Sequence, residues 1–265
     1  MAELILILLV LAVLSTVGRT GHPGMKGLQG WAYAHRGLHG NGVPENSMAA
    51  FRGALEHGYG IELDIHLTKD GHLAVIHDTS LKRTAGADVK VTDLTLEELS
   101  RYHLEGTEET IPAFYQVLDL FAGKAPLIIE LKADGNQEQL VDTAVKAMAG
   151  YKGPWCMESF DPRCIYYLRK NHPEVIRGQL SENYFAVKNN LPWILKFLLS
   201  WNMLNFLTQP DFVAYNFGHR KSVWFNTVWQ KLWKLQGVAW TIRSQEDFDT
   251  AVSEGWLPIF ENFRP

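Results

Sequence analysis

The chain has 265 residues, of which 46% are hydrophobic and 20% charged, and its formal net charge is −4. This length suits one α/β domain with a single large core, and the composition excludes an extended disordered chain. No excess of Lys and Arg is present, which argues against nucleic-acid binding. The two cysteines, Cys156 and Cys164, fit neither a disulfide framework nor a four-ligand zinc site, so we expect buried or incidental thiols.

The amino terminus carries an uncharged apolar run, Leu4 to Val17, with Glu3 before it and Arg19 and Lys26 after it. The run is short for a hydrocarbon core of about 30 Å, which usually takes about 17 to 25 helical residues. A secretory signal is disfavoured, because no basic residue precedes the run and no A-x-A motif follows it. We therefore expect residues 1–20 to be an uncleaved membrane anchor with the catalytic body on the cytoplasmic side. A cleaved signal of a secreted protein and a packed or frayed terminal helix are the alternatives.

From residue 30 onward, short β-rich runs alternate with helix-like stretches, which is typical of βα units. Candidate strands are Trp31–His35, Gly60–His66, Pro126–Lys132, Trp155–Ser159, Val175–Gln179, Phe212–Tyr215, Gly237–Arg243 and Leu257–Glu261. Candidate helices are Ser47–His57, Gln137–Ala149, Pro162–Asn171, Val223–Leu235 and Gln245–Glu254. The pattern predicts an α/β fold, a TIM-like (β/α)8 barrel over residues 30–265, with its active site at the C-terminal strand ends.

Two segments interrupt this repeat. Asp78 to Thr110 is expected to be a short insertion after the second strand, with a small helix that begins at the capping box of Thr95–Leu99. Leu191–Leu207 is apolar on nearly every side. It is interpreted either as a buried barrel helix or as an aromatic-rich helix that contacts a membrane.

Three carboxylates are expected to face the barrel interior. Glu62 and Asp64 lie two residues apart on one candidate strand, so both side chains project from the same face, and Glu130 lies near the end of the next. Unpaired carboxylates are costly to bury, and an all-oxygen ligand set is the one that Mg²⁺ or Ca²⁺ prefers. The pattern predicts one divalent cation, and a pair of salt bridges is the alternative.

Four other side chains complete the predicted chemistry. His35 and His77 end extended stretches, and a histidine pair can take a proton from a nucleophile and give one to a leaving alkoxide. Arg36 offers a bidentate fork to phosphate oxygens. Lys132 shares a face with Glu130 and is expected either to contact an anion or to form a salt bridge with one of the acids.

Two features near the expected site allow more than one interpretation. Trp240 lies in a candidate strand and forms either the floor of a substrate pocket or part of the core. Asn46 or Ser47, in the PENS segment, is expected to cap the helix that follows.

Taken in order, these residues resemble the glycerophosphodiester phosphodiesterase family. The matching motifs are HRG at His35–Gly37, PENS at Pro44–Ser47, IELDIHLTKDG at Ile61–Gly71, HD at His77–Asp78, LKRT at Leu81–Thr84, IP at Ile111–Pro112, IELK at Ile129–Lys132, SFDP at Ser159–Pro162 and AWTIR at Ala239–Arg243. The resemblance covers roughly residues 31 to 262. Many motifs recur in the family's order, which makes it specific.

The resemblance implies a TIM-barrel hydrolase that uses a divalent cation to cleave a glycerophosphodiester into glycerol 3-phosphate and an alcohol. By motif match, the catalytic pair is His35 and His77, the metal ligands are Glu62, Asp64 and Glu130, and the phosphate-facing residues are Arg36 and Lys132. Two departures stand out: Ser47 replaces the usual Thr, and the last strand ends in Glu261 and Asn262 where many members have a Thr-Asp pair.

Several choices stay open on the sequence. A lysophospholipase D-like or sphingomyelinase D-like enzyme is a second hypothesis, because the apolar segments 4–17 and 191–207 could contact lipid. A non-catalytic, membrane-tethered binding module is a third. The sequence does not distinguish Mg²⁺ from Ca²⁺, the acid histidine from the base, or water from the glycerol 2-hydroxyl as nucleophile.

Overall fold

The computed structural model describes residues 1–221 and 225–265, and within these residues the chain forms nine strands. They are Tyr33–His35 (β1), Gly60–Leu67 (β2), Leu73–Val75 (β3), Leu127–Leu131 (β4), Trp155–Ser159 (β5), Arg177–Ser181 (β6), Phe212–Asn216 (β7), Gln236–Ile242 (β8) and Leu257–Phe260 (β9). All except β3 are parallel, and β1 pairs with both β2 and β9, which closes an eight-stranded barrel. The predicted TIM-like fold is confirmed.

Helices connect the strands and cover the outside of the barrel. They are Ala2–Ser15 (α1), Met25–Leu28 (α2), Met48–Glu56 (α3), Lys82–Ala85 (α4), Leu96–Leu99 (α5), Phe114–Phe121 (α6), Gln137–Met148 (α7), Pro162–Asn171 (α8), Trp193–Ser200 (α9), Asn205–Thr208 (α10) and Gln245–Ser253 (α11), with a π-helix at Phe225–Leu232. Side chains fix several starts: Ser47 caps α3 as expected, and Asp161 caps α8, where Pro162 takes the first helical position.

Two predicted elements differ from the structure. The strand expected at Val175–Gln179 is displaced to β6, because the Val175 amide bonds to the His172 carbonyl in the turn after α8. The helix expected at Val223–Leu235 begins outside the described residues, and its described part is the π-helix.

The barrel interior has an apolar lower layer beneath a polar mouth. The apolar layer consists of Tyr33, Ile128, Cys156, Ile176, Leu180, Phe212, Ala214, Val238, Leu257 and Ile259, and Met25 and Leu28 of α2 close it from below. Side chains two apart on a strand share a face. The residues two positions after the last member of this layer on each strand therefore face the C-terminal mouth, among them His35, Glu130, Asn216, Trp240 and Glu261.

Most of the amino-terminal helix is exposed, whereas residues 16–19 after it contact the barrel. Side chains of α1 up to Leu11 are exposed to solvent. Thr16 is buried, where its hydroxyl accepts a hydrogen bond from Trp233 Nε1 (3.1 Å), and Arg19 forms an ion pair with Asp211. In the described part of the chain, no helix combines the length and the hydrophobicity needed to cross a bilayer.

The insertion after β2 is small and has its own apolar cluster. It begins with β3, which pairs antiparallel with β2, and continues through α4 and α5. Thr95 and Glu98 form the predicted capping box of α5. The buried side chains of this cluster are Ala74, Ile76, Leu81, Val91, Leu99, Leu104 and Ile111.

The 191–207 segment does not form the buried helix that we considered first. Trp193 of α9 is 71% exposed and Phe206 of α10 is 46% exposed. The polar side chains face inward instead, since Ser200 and Asn205 are buried. Ser200 Oγ accepts a hydrogen bond from the Tyr184 amide (2.9 Å), which explains why a polar residue lies on the inner face.

Candidate active site

The three predicted carboxylates converge at the C-terminal mouth of β2 and β4. Glu62 and Asp64 project from β2, and the strand register pairs Asp64 with Glu130. All three side chains are buried, and one oxygen of each lies within 4.8 Å of the others. A buried all-oxygen cluster of this kind has the donor chemistry of a hard divalent cation, so the residues fit the cation that the sequence predicted.

Lys132 lies among these acids. Its Nζ lies 3.0 Å from Asp64 Oδ1 and 2.7 Å from Glu130 Oε1. Burial alone would raise the pKa of Asp64, but the charges of Lys132, His77 and Arg36, together with the hydrogen bond from Asn46, outweigh it and lower that pKa. Burial raises the pKa of Glu130 to about 7 and that of Glu62 well above its usual range, where the charge of Asp64 adds to the effect. Among the described residues, the three acids of the cluster thus outnumber the two cations that contact it, Lys132 and Arg36.

His35, at the end of β1, is held by a carboxylate that follows β9. Its Nδ1 lies 2.6 Å from Glu261 Oε2, and since a carboxylate only accepts, Nδ1 carries the hydrogen. Arg243 in turn donates to Glu261 Oε1 at 2.6 Å. Burial lowers the pKa of His35, and the hydrogen bond to Glu261 opposes this only in part. The neutral ring then leaves Nε2 as the free base, 3.9 Å from Glu62 Oε2.

His77 has an equivalent set of partners on the other side of the cluster. His77 follows β3, which pairs antiparallel with β2 and is not one of the eight parallel barrel strands. The Ile76 amide donates a hydrogen bond to the Asp64 carbonyl (3.1 Å), which brings His77 beside Asp64. His77 Nδ1 donates to Asp78 Oδ1 at 2.6 Å, and Arg83 donates to Asp78. Burial lowers the pKa of His77 to about 4.

Arg36 and Asn46 close the same side of the mouth. The Arg36 amide donates to Glu62 Oε2 (3.1 Å), and its guanidinium donates to Glu45 Oε1 (2.8 Å). Asn46 is buried and donates to Asp64 Oδ2 at 2.8 Å, whereas the helix cap is made by Ser47. Of the two residues proposed as caps, one thus fixes a carboxylate instead.

Trp240 belongs to the opposite side of the barrel mouth. Its strand, β8, faces β4 across the ring of strands, and its indole packs edge-on against Phe160, which follows β5, at 5.5 Å between ring centroids. The two aromatic side chains rest on the apolar layer of the barrel. This position is compatible with a pocket floor and with core packing.

Sequence reasoning missed three acids and an amide that also face the mouth. Glu158 is the register partner of Glu130, and it is 1% exposed with no hydrogen-bond partner for either oxygen among the described residues. Asn216 donates to Glu182 at 3.4 Å, and Glu261 holds His35. The signal was available: each of these four residues lies two positions after an apolar interior residue on its strand.

The family is decided by a match to the whole barrel. The model of the glycerophosphoryl diester phosphodiesterase family matches residues 35–263. The chain belongs to this family. The match contains every residue proposed above for the site, from His35 to Trp240.

Curated relatives agree with this assignment. The chain is 44% identical over 160 residues to a glycerophosphodiester phosphodiesterase of Caldanaerobacter subterraneus, a match that covers 56% of this chain and 65% of that protein. It is 38% identical over 116 residues to lysophospholipase D GDPD1 of Rattus norvegicus, covering 39% of this chain and 36% of that protein. These matches thus span less than two thirds of the relatives' own lengths.

One solved structure of the same fold was obtained with a product bound. It is a phosphodiesterase of Oleispira antarctica in complex with sn-glycerol-3-phosphate; it is 21% identical with a TM-score of 0.72, covering 92% of this chain and 95% of that one. A glycerophosphodiester phosphodiesterase of Thermotoga maritima is 24% identical with a TM-score of 0.67, covering 87% of this chain and 93% of that one. At these identities the likeness establishes the fold.

Proposed function

We propose that this chain hydrolyses glycerophosphodiesters to glycerol 3-phosphate and an alcohol in a reaction that needs one divalent cation. The observation that carries the proposal is the convergence, at one barrel mouth, of the buried Glu62, Asp64 and Glu130 cluster with two carboxylate-held histidines. Family membership and the names of the curated relatives support the same chemistry.

The cation would be held by Glu62, Asp64 and Glu130. When bound, it supplies a Lewis acid that polarises the phosphoryl group and offsets its charge. Lys132 and Arg36 lie against the same carboxylates, and both would stabilise the negative charge that the phosphoryl oxygens gain.

The two histidines are suited to moving the protons. Each ring donates a hydrogen bond from Nδ1 to a carboxylate, so Nε2 of each ring is the atom that can accept or return a proton. Both pKa values are lowered, mainly by burial, so both rings are neutral near pH 7 before substrate binds. One ring would accept the proton of the attacking hydroxyl at Nε2. The other ring would take up a proton at Nε2 from solvent as the anionic substrate binds, and would then give that proton to the leaving alkoxide.

Product analysis by ³¹P NMR tests this proposal. The full chain with Mg²⁺ or Ca²⁺ is given glycerophosphocholine, and the expected products are glycerol 3-phosphate and choline. The His77→Ala variant serves as the control for contaminating activity. Release of phosphocholine and glycerol would mean cleavage of the other ester bond, and unchanged substrate with every deacylated diester tried would contradict the proposal.

A lipid substrate is the second candidate, favoured by the exposed apolar surface of α1 and α9. Leu4 is 60% exposed and Trp193 is 71% exposed, and side chains of this kind insert favourably into a membrane interface. We propose that these helices contact a membrane, with the barrel on the cytoplasmic side. The corresponding assay compares lysophospholipids with deacylated diesters as substrates.

Membrane contact is measured by co-sedimentation with phosphatidylcholine vesicles. Deletion of residues 1–14 should abolish binding and Trp193→Glu should weaken it, whereas Tyr115→Glu, at a 60% exposed position on α6, should not. Equal binding of all four proteins would contradict the membrane proposal. Turnover of glycerophosphocholine without turnover of lysophosphatidylcholine would contradict the lipid-substrate proposal.

A further inference from the structure

A second group of metal-binding donors lies beside the carboxylate cluster, in the described part of the chain. It consists of His35, His39 and Glu261, with one donor atom of each within 4.8 Å of the others. Glu261 Oε2 is the shared atom, 2.6 Å from His35 Nδ1 and 3.7 Å from His39 Nε2.

The loop after β1 brings His39 to this position. Gly37 adopts a φ of +79°, and a Cβ there would lie 2.8 Å from that of Ala50, so only glycine lets the chain turn closely over α3. His39 then faces Glu261, and its Nε2 is buried with no hydrogen-bond partner among residues 1–221 and 225–265. A buried ring nitrogen whose contact with the carboxylate is longer than a hydrogen bond is poorly compensated, and an ion bound between the two groups would compensate it.

The donor set differs in kind from the carboxylate cluster. Two imidazoles and one carboxylate form a set that Zn²⁺ binds in open, three-ligand sites, whereas the neighbouring all-oxygen cluster suits Mg²⁺ or Ca²⁺. Bond lengths of about 2.0 to 2.2 Å in a tetrahedral site put pairs of donors about 3.3 Å apart. The distances from Glu261 Oε2 to the two ring nitrogens, 2.6 and 3.7 Å, bracket that value, so each of these two pairs would change by less than 1 Å.

We propose that His35 Nδ1, His39 Nε2 and Glu261 Oε2 bind a zinc ion that switches the enzyme off. Arg243 and Asn262 both donate to Glu261 Oε1, which leaves Oε2 to the metal. The positive charge of Arg36 lowers the pKa of His35, and the negative charge of Asp64 opposes this effect.

Inhibition follows from the position of one proton and rests on the proposed function. Without zinc, Nδ1 of His35 carries the hydrogen and Nε2 is the free base. A neutral imidazole that binds zinc through Nδ1 must carry its hydrogen on Nε2, so this atom can no longer accept a proton. The hydrogen bond that orients the ring on Glu261 is lost at the same time.

Calorimetry tests the binding and an inhibition assay tests the consequence. Zinc is titrated into the full chain held in saturating Mg²⁺, and the same protein is assayed with glycerophosphocholine. The key variant is His39→Ala, since His39 has no part in the proposed reaction. His72→Ala, whose side chain is 64% exposed, controls for surface zinc binding, and His39→Gln is a second variant should His39→Ala not fold.

We expect one zinc per chain in wild type and His72→Ala. His39→Ala should bind it at least about tenfold more weakly, the lower end of what losing even an outer partner costs a metal site. His39→Ala should keep its turnover in Mg²⁺ and resist zinc. Equal zinc affinity in wild type and His39→Ala would overturn the site, and equal inhibition of both would overturn the switch by pointing to zinc in the carboxylate cluster. If no diester is turned over, the proposed function fails while calorimetry still decides the site.

Discussion

Replacing Lys132 with methionine should destabilise the metal-free protein strongly. Lys132 is 14% exposed and contacts Asp64 and Glu130, which are themselves buried, and Glu158 brings further acid from the next strand. Removing one partner of a buried ion pair typically costs about 3 to 5 kcal/mol, because the remaining charge is left without compensation. For a domain of this size, about 2 to 4 °C is lost per kcal/mol. The melting temperature should therefore fall by roughly 6 to 20 °C.

The divalent cation should recover part of this loss, which links the stability effect to the site. Thermal unfolding is followed in a chelator and again in saturating Mg²⁺ or Ca²⁺, and bound cation at about 100 times its Kd adds about 2.7 kcal/mol. Lys152→Met, at an exposed position, is the matched control and should melt like wild type under both conditions. If Lys132→Met and Lys152→Met melted at the same temperature in chelator, the inferred excess of buried negative charge would be wrong.

Three further results are expected. His35→Ala and His77→Ala should each lose about 100-fold or more in kcat, and the double variant should lose much less than the product because the rings act as one unit; multiplicative losses would indicate independent roles. Burial alone would raise the pKa of Asp78, but hydrogen bonds from Arg83 and His77 lower it to about 2 from 3.8. The ionised Asp78 therefore stabilises the fold above pH 4, and this contribution is lost as the pH falls toward 2. Asp78→Asn should lower the free energy of unfolding by roughly 1 kcal/mol at pH 7 after solvent screening, and by less at pH 3. A difference between variant and wild type that grows in acid would contradict this direction. Deleting residues 1–11, whose side chains are exposed, should leave the melting temperature unchanged, whereas Arg19→Ala should cost about 1 to 3 kcal/mol by leaving the buried Asp211 short of a donor. Equal melting temperatures of the two variants would place the boundary of the barrel domain elsewhere.

The barrel could be predicted because its pattern is local. Short apolar strands alternate with capped helices, and the spacing of Glu62 and Asp64 assigns both to one face without knowledge of the fold. The family motifs then place His35, His77 and Lys132 at one mouth. Each of these inferences uses residues a few positions apart.

The rest of the site depends on contacts between distant strands. Glu261 meets His35 only because β9 closes the barrel against β1, a pairing across 226 residues. Glu158 becomes part of the acidic cluster only through its register with Glu130. The inward polar face of 191–207 likewise depends on Tyr184, whose amide binds Ser200. The local sequence pattern does not identify these distant partners.

The segment after α1 illustrates the same limit at the domain boundary. The apolar run suggested a break near residue 20, because hydropathy changes there. In the structure Thr16 and Arg19 already belong to the barrel, since they bind Trp233 and Asp211. A boundary drawn from hydropathy therefore removes side chains that hold the lower face of the barrel.

The dependence of glycerol 3-phosphate release on the divalent cation is the most direct test of the proposed hydrolysis. Purified full chain is stripped with a chelator, and release from glycerophosphocholine is followed before and after Mg²⁺ or Ca²⁺ is added. We expect release only after the cation is restored, and much weaker restoration in Glu62→Gln, which removes one charged ligand of the cluster. Equal release in chelator and in excess cation, or full activity of Glu62→Gln, would contradict the claim.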